Sequence, residues 1–168
     1  MKLAVSLLLA LALSACVGPT VNPNDPQAVA RNVHVQRDEF RKVTVFTGPS
    51  ALDELDLVLL RAFRSDGGST SIEIYLRWQY EDSRFHGYRS ALDSNGNQLS
   101  VRNISQNVVT CKAAWACVYA ENVAVNVTRA YLENNRQTGI RFKLIGDGGE
   151  SVFSLPPAYI AGFLAAVK

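Results

Sequence analysis

Histidine is nearly missing from this 168-residue chain: His34 and His86 are the whole supply. They lie far apart in sequence, and they are the only imidazoles available for general-base work near neutral pH. A hydrolase elbow of the Gly-x-Ser-x-Gly type is absent. So is any block of like charge: seventeen basic residues face fifteen acidic ones. A nucleic-acid binder would carry a basic stripe, so that partner class is excluded. Beyond residue 15 no stretch is apolar enough to cross a bilayer, which takes about 20 residues. Gly146-Asp147-Gly148-Gly149-Glu150 has too few ligands for an EF-hand calcium loop, and no cofactor motif occurs. Cysteine is scarce as well, at three residues.

What is present begins at the amino end. Lys2 is followed by an apolar run from Leu3 to Leu13, broken only by Ser6, then by the small residues Ser14 and Ala15. The run is too short to span a membrane and has the form of a signal-peptide core. Leu13-Ser14-Ala15-Cys16 resembles the lipobox of bacterial lipoproteins. That resemblance implies cleavage before Cys16, a diacylglyceryl thioether on its sulfur and, in many bacteria, acylation of the new amino group. Val17, where inner-membrane retention would use Asp, implies an outer-membrane lipoprotein facing the periplasm.

The expected division is a removed signal peptide over 1–15, a lipidated and flexible tether over 16–32, and one globular domain over 33–168. Three prolines and three asparagines between Val17 and Asn32 break any apolar periodicity. Asp25-Pro26 could start a short helix through Ala30, with Asp as cap and Pro at the first position. Export also places Cys111 and Cys117 in an oxidising compartment. Their spacing reads as a disulfide rather than a redox Cys-x-x-Cys or a zinc pair, which would need further ligands.

Period-two alternation dominates the domain. From Thr70 to Glu81, Ile72, Ile74, Leu76, Trp78 and Tyr80 share one face, while Glu73, Tyr75, Arg77 and Gln79 share the other. Val123, Val125 and Val127 repeat the pattern, as do Ile140, Phe142 and Leu144. Further strands are expected over Phe40–Thr47, Leu55–Phe63, Phe85–Leu92, Gln98–Ile104 and Val152–Leu155. Asp66-Gly67-Gly68, Asn95-Gly96 and the glycines at 146–149 supply the turns. Pro156-Pro157 then opens a short helix with Tyr159, Ile160, Phe163, Leu164 and Val167 on its apolar side. The fold class is therefore mostly β: an antiparallel sandwich or partly closed barrel with a short C-terminal helix. Asp38-Glu39-Phe40, Asp93-Ser94-Asn95-Gly96 and Cys117-Val118-Tyr119-Ala120-Glu121 resemble a pattern in small secreted bacterial proteins of unassigned activity, which implies the same all-β class.

Two functional readings follow. The first is a non-enzymatic envelope module that binds a protein partner while its lipid holds a membrane. Aromatics interleaved with arginines make Tyr75, Arg77, Arg84, His86 and Tyr88 its candidate surface. The second is a hydrolase or small-ligand site around His86, with Asp82, Ser83 and Ser90 nearby in sequence. The paired carboxylates Asp53-Glu54 and Glu81-Asp82 point to opposite faces if on strands, so they do not form a glycosidase pair.

Overall fold

The computed structural model describes residues 21–52, 56–113 and 116–168. In chain order the elements are α1 (Pro26–Arg31), β1 (His34–Asp38), β2 (Val43–Thr47), β3 (Leu57–Ser65), β4 (Thr70–Asp82), β5 (Tyr88–Asp93), β6 (Gln98–Ala113), β7 (Ala116–Val127), α2 (Arg129–Asn135), β8 (Ile140–Gly146), β9 (Glu150–Leu155) and α3 (Pro157–Ala166). The strands form one sheet in the order β1-β2-β3-β4-β7-β6-β5-β8-β9. Every pairing is antiparallel. The mostly β class and the C-terminal helix are as the sequence predicts.

The sheet is not closed by backbone pairing, yet it curls strongly. Trp78 on β4 and Phe153 on β9 meet edge to face with ring centroids 5.2 Å apart. Five strand spacings separate those strands, about 24 Å in a flat sheet. The two halves therefore face each other over a shared core. Alternation supplies that core: Ile74 lies opposite both Leu60 and Val125, and all three are fully buried. Each such side chain contributes about 1.5–3 kcal/mol on leaving water.

Helix α3 completes the core with Tyr159, Ile160 and Phe163, none of which retains exposed surface. The Tyr159 hydroxyl also repairs the sheet. Pro49 follows β2 and brings no N–H to the ladder. The hydroxyl accepts the Leu60 N–H at 3.2 Å and donates to the Pro49 carbonyl at 2.6 Å.

Several elements differ from expectation, each for a local reason. The segment read as tether becomes packed structure at α1. Asp25 caps it as anticipated, accepting the N–H groups of Gln27 at 2.9 Å and Ala28 at 3.1 Å. Its Val29 is fully buried against α3. The fit depends on Gly162, where a Cβ would stand 2.4 Å from the Pro26 carbonyl oxygen. Strand β1 was not anticipated, because this edge strand is largely exposed and carries no apolar alternation. Phe40, expected to open a strand, sits fully exposed in the turn after β1. Helix α2 was missed too: its polar sequence buries Leu132 alone, and Thr128 caps it by accepting the Tyr131 N–H at 3.0 Å.

Replacing Tyr159 by Phe keeps the packing but leaves the buried Leu60 N–H and Pro49 carbonyl without this partner. A loss of about 1–3 kcal/mol is expected in urea unfolding.

Candidate functional site

The inner face changes character along its length. On β4 the inward positions run from Ile72, Ile74 and Leu76 to Trp78, Tyr80 and Asp82; on β7 the paired positions run from Val127 to Glu121, Tyr119 and Cys117. At this polar end the sheet forks. Pairing of β5 with β6 stops at Ser90 opposite Ser100, whereas β6 and β7 stay paired as far as Ala113 and Ala116. The β4–β5 connection, residues 83–87, folds into the fork.

Glu121 anchors that connection. Its side chain is fully buried. It accepts from the Tyr80 hydroxyl in a short hydrogen bond, from the Gly87 N–H at 3.0 Å and from Gln106 Nε2 at 3.0 Å. Burial by itself would raise the carboxyl pKa, but these donors and the Tyr88 backbone outweigh it and hold the pKa below the usual value. Tyr80 is shifted the other way: burial and the carboxylate beside it push the phenol upward.

His86 packs on this arrangement. Its N–H reaches the Tyr80 oxygen at 2.6 Å, and its ring stacks on the Tyr80 ring with centroids 3.7 Å apart. Gly149 closes the other side; a Cβ there would stand 2.6 Å from the imidazole. Both ring nitrogens are engaged, Nε2 with Asp82 Oδ2 at 3.1 Å and Nδ1 with the Tyr88 hydroxyl at 2.6 Å. The Tyr88 hydroxyl in turn meets Ser151 Oγ at 2.6 Å. Asp82 titrates below the ordinary range, chiefly through the Ser83 N–H and then through His86. With Asp82 ionised, one proton assignment satisfies every member: Ser151 donates to Tyr88, Tyr88 to Nδ1, and Nε2–H to Asp82. Burial pushes the Tyr88 phenol up to about 12.

Chemically this is a proton chain with a serine at one end. It differs from a nucleophilic triad in one respect: Ser151 meets a phenol, and the imidazole stands one group further back. Of the serines nearest His86 in sequence, Ser83 joins only the carboxylate end, donating its N–H at 2.6 Å and its hydroxyl at 3.2 Å to Asp82 Oδ1, and Ser90 is not part of the chain. Glu81 turns outward to Lys112 at 3.4 Å while Asp82 turns inward, as strand alternation requires. Asp53 and Glu54 lie outside the described residues.

The five candidate surface residues do not form one surface. Tyr75 lies on the outer face, donating to Asn122 Oδ1 at 3.2 Å under the Arg61 guanidinium, which is 3.9 Å from the ring centroid. Arg77 shares that outer face, by its register opposite Leu57 and Asn122. Beside Tyr75 the buried Glu73 is clasped by Arg61 and by Arg102 at 2.9 Å. His86 and Tyr88 are on the inner side, and Tyr88 is buried. Arg84 is exposed at the rim and donates to the Asp147 carbonyl at 3.4 Å. Cys111 and Cys117 form the disulfide, as a cross-strand pair with Cα atoms 4.0 Å apart. Among the described residues no three His, Cys, Asp or Glu side chains gather as a metal site.

Protein-family models, curated proteins and solved structures were compared with the chain, and none matches.

Sequence reasoning passed over Glu121 and Ser151, although a signal existed for both. Glu121 has the same strand parity as Val123, Val125 and Val127, and Ser151 the same parity as Phe153 and Leu155. Each is a polar residue at an inward position.

Because the folded-state pKa of Glu121 lies below 4.5, its contribution is complete above that pH and is lost as pH falls through the folded-state value. Glu121→Gln should destabilise the protein at neutral pH by about 2–3 kcal/mol. In denaturant titrations from neutral to acid pH, the gap between wild type and variant should narrow below pH 4.5.

Proposed function

We propose that the chain is a lipid-anchored lipoprotein of the bacterial envelope whose β body acts as a binding or assembly module. The observation that carries this reading is the division among its three cysteines. Cys111 and Cys117 are joined to each other. That leaves Cys16, directly after Leu13-Ser14-Ala15, as the acylation site the lipobox resemblance implies. Acyl chains contribute about 0.8 kcal/mol per buried methylene, so one chain holds marginally and two or three hold firmly. Val17 favours the periplasmic face of the outer membrane as the place of anchoring. The partner is an envelope protein rather than nucleic acid, in keeping with the balanced charge.

Cys16→Ser should abolish acylation and either release the protein to the soluble fraction or leave it as a misprocessed precursor, without unfolding the β body. Labelling with a clickable palmitate, intact mass and fractionation together measure this. Unchanged processing and partitioning would overturn the anchor.

One observation favours a second reading, a hydrolase at His86: the chain Asp82–His86–Tyr88–Ser151 ends on a serine hydroxyl. A panel of activated esters tests it. Turnover that drops about 100-fold or more in a folded Ser151→Ala variant would establish this reading. Failure of the wild type to turn over any ester, or turnover indifferent to Ser151, leaves the binding module standing.

A further inference from the structure

At the end of the sheet away from His86, three connections converge. The β5–β6 turn brings Ser94 and Asn95, the α2–β8 connection brings Thr138, and the end of β9 brings Ser154. They enclose a cleft of about 410 Å³. A second cleft of about 350 Å³ adjoins it and passes Lys143 and Val152. Ser94 and Arg141 belong to both.

Arg141 is the exception among the cations carried by strands. Arg37 is held by Asp66, Arg61 and Arg102 by Glu73, Arg89 by Asp147, Lys112 by Glu81 and Lys143 by Glu150. Arg64 lies over the Phe46 ring, and Arg77 too is engaged. Arg141 is exposed and has no ion pair, hydrogen-bond partner or ring contact for its side chain among the described residues. Nor does either cleft offer it a spare carboxylate. The described lining of the first holds no acidic residue. That of the second holds Asp93, whose oxygens accept from the N–H groups of Asn95 and Asn97, each at 2.9 Å, and from the Tyr131 hydroxyl at 3.1 Å. What remains is a guanidinium fork beside the hydroxyl and amide side chains of Ser94, Asn95, Thr138 and Ser154 in the first cleft, with Leu92, Phe142 and Val152 along the second.

We propose that Arg141 is the centre of an oxyanion subsite that takes the carboxylate or phosphate group of a polar ligand, with Ser94, Asn95 and Ser154 as the hydrogen-bonding wall. A planar fork with several donors fits either group in a two-point geometry that an ammonium does not reproduce. The hydroxyl and amide groups of the first cleft favour a hydrophilic group at the fork. This deepens the binding-module reading and rests on it, but it is independent of the anchor, which the Cys16→Ser fractionation tests separately.

The test titrates the isotope-labelled full chain with inorganic phosphate and, in separate arms, with acetyl-Ala-Ala and its C-terminal amide, following backbone amides and the Arg141 Nε–H by NMR. Saturable shifts centred on Ser94, Gly139 and Arg141 are expected with phosphate, with the peptide acid, or with both, and not with the amide. The arm that saturates names the source of the oxyanion. Arg141→Gln, at an exposed position, should keep the wild-type melting temperature and weaken binding about tenfold or more, while Arg31→Gln on α1 should bind as wild type. If neither the phosphate nor the peptide acid saturates, or if Arg141→Gln binds as tightly as wild type, the subsite is overturned.

Discussion

A carboxylate taken wholly out of water is tolerated only if donors replace its lost hydration, and Glu121 draws those donors from separate parts of the chain. Tyr80 comes from β4, Gly87 from the connection into β5, and Gln106 from β6. Desolvation of such a group costs several kcal/mol. Hydrogen bonds to a charged group contribute about 1.5–3 kcal/mol each, so three or more are needed to offset the cost. The polar end of the molecule is arranged around meeting that requirement. The same Tyr80 oxygen that faces Glu121 receives the His86 N–H, and the stacked rings then fix His86 between Asp82 and Tyr88. The fork between β5 and β6 stays filled because one buried charge needs all of these groups at once.

The two ends of the sheet have opposite electrostatic character. Around Glu121 and His86 the described side chains Tyr80, Asp82, Tyr88, Gln106 and Ser151 are matched to one another, and Arg84 and Tyr119 to backbone carbonyls. On the outer face the Arg61–Glu73–Arg102 clasp does the same across β3, β4 and β6. Only at the far end, where loops replace strand ladders, does a strand cation lack a partner among the described residues. A sheet presenting an unmatched cation between loop connections is the ordinary way that a scaffold carries a binding site.

How much of this could be read in advance depends on the scale of the interaction. The strand at 70–82 was legible because its two faces meet different surroundings, and Asn95-Gly96 was legible because Gly96 takes a φ of 82°. Helix α3 announced itself through Pro157 and the five apolar residues Tyr159, Ile160, Phe163, Leu164 and Val167 at helical spacing. By contrast, β1 reads His34-Val35-Gln36-Arg37-Asp38, an edge strand without a core face, and gives no periodic signal. The distal half of β6, from Asn103 to Thr110, pairs only with β7 and is largely exposed, its Ile104, Val108 and Val109 included, so it gives no clean alternation either. Tyr75 and Arg77 look like neighbours of His86 along the chain, but the sheet stands between them. Glu73 is buried by arginines from two other strands, which no local window contains. Glu121 and Ser151 lay within reach of a parity argument, had polar residues at inward positions been weighed as heavily as apolar ones.

The seam between α1 and α3 has a mechanical consequence. With Val29 seated where Gly162 leaves only a hydrogen atom in the way, the first described helix leans on the last. Tension applied to the amino end would reach this helix pair before it reached any strand. Once α1 was pulled free, the next element in line would be β1, a five-residue edge strand that separates from β2 one rung at a time. The interior of the sheet, from β3 inward, lies behind both. A pull from that end would therefore meet resistance first where Val29 is seated against α3, a part of the core, and only afterwards at the edge strand.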